Sequence, residues 1–107
     1  MGKITFKEYT ENGQTIIKEF HEVVVHTFSM GDVDDPDLYA SQPIWQWQQT
    51  EQGKFVMENA VEQPYFNRQI DHFSYGYKFS IVAKLEKKKL SEFYIKWGNP
   101  NKNYLIY

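Results

Sequence analysis

A chain of 107 residues with a formal net charge of −2 is sized for one domain, residues 1–107, built on a single core. It holds no cysteine, which excludes disulfides, thiolate zinc sites and a cysteine nucleophile together. No apolar run approaches the roughly 18 residues a spanning helix needs. Residues 1–13 also lack the apolar stretch of a signal peptide, so a soluble, cytoplasmic protein with no membrane partner is expected.

In chain order, residues 3–9 read as a strand, followed by Glu11-Asn12-Gly13. Asn-Gly between two extended runs is a hairpin signal, because both residues tolerate the positive φ of a tight turn. Residues 14–20 then return, and residues 22–30 form a third run or a continuation past a bend. There Val23, Val25 and Thr27 alternate with Val24, His26 and Phe28, so neither face is plainly polar. That is the pattern of a central strand covered on both sides.

Residues 31–61 are the stretch that reads as helix. Asp35 suits the N-cap and Pro36 the first helical position, where a missing N–H costs nothing. Asp34, Asp35 and Asp37 then sit where the helix dipole favours negative charge. Pro43 kinks or restarts the helix. On one straight rod the apolar residues of 43–61 scatter. A restart with Thr50 as a second N-cap gathers Glu51, Lys54, Glu58 and Glu62 on one face and turns Val56, Met57, Ala60 and Val61 away. A kinked or two-part helix within 36–62 is therefore expected.

Pro64 ends that helix. Residues 63–74 show no clear period and read as a connection carrying Tyr65, Phe66 and Arg68 at the surface. From Tyr75 the pattern is strand-like: Tyr75, Tyr77, Phe79, Ile81, Ala83 and Leu85 share a face, against Lys78, Ser80, Lys84 and Glu86. A turn at 86–89 and a strand over 90–97, with Phe93, Ile95 and Trp97 inward, complete a hairpin. Residues 104–107 form a last short strand or a docked tail. The expected fold is α+β: an antiparallel sheet of about five strands with one kinked helical segment packed on one face and the other face open.

The Asp32, Asp34, Asp35 and Asp37 cluster invites a calcium or magnesium reading, but it lacks the glycine and the final glutamate of an EF-hand loop. Helix-start electrostatics is the simpler account, and no metal or cofactor is expected. In a continuous strand, His21 and His26 point to opposite faces and cannot share a ligand. There is no Gly-x-Ser-x-Gly turn, Walker loop or His-Glu-x-x-His helix. A face of Tyr75, Tyr77 and Phe79 could stack bases, although the same alternation suits a strand facing a core.

Charge is split: residues 31–71 carry eight acids against Lys54 and Arg68, and residues 72–107 carry seven lysines against two acids. Eight Tyr, eight Phe and three Trp exceed what so small an interior hides, so an exposed aromatic patch is expected. Trp45 and Trp47 point about 200° apart on a helix, so both are buried only if the segment is covered on two sides. Packing in the core is the simpler account of the pair, and one indole facing outward as an interface anchor is the alternative.

Three motifs, Gly31-Asp32-Val33-Asp34-Asp35-Pro36, Trp47 with Thr50-Glu51-Gln52-Gly53-Lys54, and Tyr75-Gly76-Tyr77, resemble small uncharacterised proteins encoded by large tailed bacteriophages. The resemblance spans roughly residues 23–98, implies a phage setting and transfers no site residue or activity. Together these readings favour a non-enzymatic protein–protein interaction module that binds or inhibits a host protein. Its expected contact residues are Trp45, Trp47, Tyr65, Phe66, Arg68, Glu51, Glu58 and Glu62, while Asp35, Pro36 and Thr50 serve as structural caps. The alternatives are a self-associating virion or assembly component and a single-strand nucleic-acid binder using the Tyr75-Tyr77-Phe79 face.

Overall fold

Asn12 and Gly13 take φ values of 51° and 77°, closing β1 (Lys3–Glu11) onto β2 (Gln14–Met30) in a two-residue turn of the type that matches strand twist. The computed structural model describes residues 3–31, 33–72 and 75–98. Asp32 and the strand or tail expected at 104–107 lie outside the described residues. β2 runs 17 residues, so the runs expected at 14–20 and 22–30 are one strand. Its first half pairs with β1 and its second half with β4 (Gly76–Glu86), overlapping only near residues 20–22. β3 (Tyr65–Asp71) pairs with the other side of β4, and the order is β1-β2-β4-β3, antiparallel throughout.

Within β2, Val24 opposes Val82 and His26 opposes Ile81, so Val25 is an extra residue in a bulge. The bulge corrects the expectation for the histidines. A one-residue shift in a period-two strand moves His26 onto the face of His21, because His21 opposes Leu85 and His26 opposes Ile81. They remain four β4 positions apart, about 13 Å along a strand.

The helical stretch divides as its caps dictate. In α1 (Pro36–Gln48), the Asp35 side chain accepts from the Leu38 N–H at 3.3 Å, and Pro36 holds the first position. α1 stops at Gln48. Thr50 then caps α2 (Glu51–Asn59), its hydroxyl accepting from the Gly53 N–H at 3.0 Å and donating to the Trp47 carbonyl at 2.6 Å. Glu51, Lys54 and Glu58 share the exposed face of α2, and Val56 is fully buried behind it.

Two expectations are corrected. The segment read as a strand at 90–97 is helix α3 (Lys87–Trp97). Leu90, Phe93, Tyr94 and Trp97, spaced i, i+3, i+4 and i+7, form one helical stripe that is buried or half-buried, whereas Ile95 is 84% exposed. Gly98 ends the helix at φ 80°, its N–H bonding the Tyr94 carbonyl at 2.8 Å. The segment read as a connection at 63–74 contains β3. As an exposed edge strand it alternates Tyr65, Asn67 and Gln69 with Phe66, Arg68 and Ile70, mixing apolar and polar side chains on both faces and so hiding its period. Among the described residues the sheet therefore has four strands rather than about five, α1 and α2 are the two parts of the expected kinked or two-part helix, and α3 is a further helix.

The three helices cover one sheet face. Val23, Val25, Ile81, Ala83 and Leu85 meet Trp47, Val56, Leu90 and Phe93 in the core. Across β2, β4 and β3, Phe28 stacks on Phe79 with centroids 5.1 Å apart, and Phe66 sits tilted against Phe79 at 5.6 Å. The opposite sheet face carries no described helix and is open except at Phe20 and Val82, which are buried there. No described helix is long and apolar enough to cross a membrane.

Candidate functional site

α1 carries apolar side chains on two opposite stripes. Pro36, Ala40 and Trp47 face inward and are buried. Leu38 and Trp45, seven residues apart and so in line along the helix, are 64% and 60% exposed, and Tyr39 beside them is also exposed. The two tryptophans divide: Trp47 belongs to the core at 5% exposure and Trp45 to the surface. The Trp47 indole N–H donates to Gln52 Oε1 at 2.8 Å, and its ring stacks on His26 at 5.5 Å, so its polar edge is satisfied inside.

The eight expected contact residues do not form one patch. Trp45 lies on the outer stripe of α1. Phe66 and Arg68 lie on the helix-bearing side of β3, where Arg68 Nη1 donates to Asp37 Oδ1 at 2.9 Å and its guanidinium covers the Tyr77 ring at 5.5 Å. Glu51 and Glu58 line the exposed face of α2. Tyr65 and Glu62 belong to the open face of the sheet, because Tyr65 opposes Val82 and Glu62 bonds Lys84 Nζ at 3.1 Å. That lysine, by its hydrogen bond and its charge, holds the Glu62 carboxyl below its ordinary range. Desolvation, followed by the Glu22 carboxylate, pushes the Tyr65 phenol up. Sequence reasoning missed Leu38 and Tyr39. Their signal was present, since Leu38 falls on the Trp45 stripe of the expected helix.

The acidic cluster acts at the start of α1. Asp35 caps it, Asp37 lies in its first turn, and no group of three or more His, Asp or Glu placed to hold a metal ion occurs among the described residues. Phe79, proposed as part of a base-stacking face, is fully buried beneath the helices; of that trio only Tyr75 is largely exposed. A polar hollow of about 320 Å³ on the open face is lined by Glu22, Tyr65, Asn67, Gln69 and Ser80.

A second hollow, of about 270 Å³, lies between β2 and α3 and is lined by His26, Thr27, Gln52, Phe93 and Trp97. Burial pushes the His26 imidazole below its usual value. The unfolded chain therefore binds a proton near pH 6.5 that the native protein takes up only at lower pH. The stability tied to neutral His26 is fully present above about pH 6.5 and is lost as pH falls through that window. Urea midpoints are expected to drop between pH 7.5 and 5.5, and the drop to shrink in His26→Phe, which keeps the stack on Trp47. An undiminished drop in that variant would assign the effect to another group.

No protein-family model, curated protein or solved structure matches the chain.

Proposed function

We propose that this chain is a non-enzymatic protein–protein interaction module that holds its partner through the outer stripe of α1, with Trp45 as the anchor. The observation that carries the reading is the contrast between neighbouring indoles. The fold supplies Trp47 with a hydrogen-bond partner and a stacking partner inside, and leaves Trp45 bare in line with Leu38. Tryptophan is enriched at interface centres, where filling a partner's pocket desolvates a large ring at little conformational cost.

Charge defines the partner's chemistry. Residues 33–62 carry six acids against Lys54 alone, so the α1–α2 layer favours a pocket rimmed by basic side chains. The likeness to small phage proteins supports a host protein as that partner, met in the host cytoplasm and bound or inhibited there.

The test is affinity purification from host lysate, followed by calorimetry with the purified partner. Trp45→Ala is expected to weaken binding about 30-fold, the equivalent of a hot-spot loss of about 2 kcal/mol, with the fold unchanged. Rising salt should slow association. Equal affinity for the wild type and Trp45→Ala would remove α1 as the contact surface.

A further inference from the structure

β1 is an edge strand. β2 pairs with one side of it, and no described residue pairs with the other. The positive φ values at Asn12 and Gly13 make Glu11 and Gln14 a hydrogen-bonded pair across a type I′ turn. The alternation of an antiparallel ladder then aims the N–H and C=O groups of Ile4, Phe6, Glu8 and Thr10 at the open side.

Proteins usually blunt such an edge with proline, a bulge or a charge held across it. β1 contains no proline, and its register with β2 runs unbroken from Lys3–Glu22 to Glu11–Gln14. Lys7 lies over β2, its Nζ 5.9 Å from the centroid of the Phe20 ring. Ile4, Phe6 and Ile17 are each more than half exposed on the helix-bearing side of the sheet. An open ladder beside uncovered apolar side chains is completed by another strand.

The sequence of β1 itself is such a strand. Laid antiparallel about a two-fold axis through Phe6, it sets Phe6 against the partner's Phe6 and Thr5 against the partner's Lys7. Lys3 then faces the partner's Tyr9 and lies diagonal to the partner's Glu11, so each end of the register carries an opposite-charge pair. Lys3 and Lys7 balance Glu8 and Glu11, leaving the strand without net charge to repel its copy. Centring on Lys7 instead would oppose like charges directly.

We propose that two copies of this chain pair through β1, antiparallel about Phe6, into one continuous eight-stranded sheet. The contact is separate from the α1 surface and stands whether or not that surface binds a partner.

Sedimentation equilibrium over a wide concentration range is expected to show the mass doubling. A Phe6→Cys chain, its only cysteine lying on the axis, should cross-link to its copy under mild oxidation, since bonded cross-strand Cα atoms sit about 5.5 Å apart, within disulfide reach. Glu8→Cys should not cross-link, because its counterpart lies about 13 Å along the strand. Glu8→Pro removes an outward donor while sparing the β1–β2 ladder, and should be monomeric with an unchanged circular dichroism spectrum. A wild type that stays monomeric throughout, cross-linking by Glu8→Cys as fast as by Phe6→Cys, or a dimeric Glu8→Pro would each overturn the proposal.

Discussion

Replacing Gly53 by alanine is expected to destabilise the protein by about 3 kcal/mol, the upper part of the range for overpacking. The sign is opposite to the usual one, since alanine inside a helix ordinarily stabilises by about 1 kcal/mol relative to glycine. A Cβ at position 53 would stand 1.9 Å from the Trp47 carbonyl oxygen and 2.7 Å from the Gln48 Cα. Both are backbone atoms, so no rotamer change relieves the clash. The same carbonyl receives the Thr50 hydroxyl, and Thr50 in turn receives the Gly53 N–H. Widening the corner therefore strains the cap of α2 and the seat of the Trp47 indole together. Urea denaturation measures the effect. A midpoint at or above that of the wild type would show that the α1–α2 corner opens freely, contrary to the contacts that define it.

The second large effect separates two neighbours on α3. Phe93→Ala should cost about 3–5 kcal/mol, the range for deleting a fully buried aromatic ring. Phe93 is 1% exposed and touches the rings of Phe55, Tyr94 and Trp97. Ile95→Ala should change stability by no more than about 0.5 kcal/mol, as for a surface site. In a strand these residues would share a face and lose comparable amounts. The pair of denaturation curves therefore tests the helix directly, and equal losses at the two positions would refute it.

The same segment shows where sequence reading stops. Phe93, Ile95 and Trp97 fit a two-residue period, while Leu90, Phe93, Tyr94 and Trp97 fit 3.6, and four apolar residues are too few to decide between them. Burial of Leu90 under the helix stripe and the Gly98 cap decide it, and neither can be weighed without the tertiary contacts. Local chemistry was readable: Asn12-Gly13 as a tight turn, Asp35-Pro36 as one helix start and Thr50 as another. Each depends on residues within one turn of chain. The Val25 bulge was not readable, because an inserted residue is visible only against the strand it fails to match. β3 was hidden for a related reason, as an edge strand exposed on both faces has no apolar face to announce it.

The surface was half legible. That both indoles are buried only under cover from two sides follows from helical angle alone. Which one faces outward depends on how the corner at Thr50 and Gly53 turns Trp47 towards β2. The open side of β1 could not be seen at all, since strand order is fixed by the pairing of β2 with β4 across most of the chain.

The shared length of β2 has a consequence for the order in which the chain assembles. β1 and the first half of β2 meet across a two-residue turn and can zip on the microsecond scale of isolated hairpins. The second half of β2 waits for a partner much later in the chain, since Met30 meets Tyr77 and Phe20 meets Glu86. That loop must close before contacts reward it, which slows the step. The ribbon can thus form before β2 meets β4. Until that happens its central half stands naked, and a nascent chain is most prone to wrong partners in that interval.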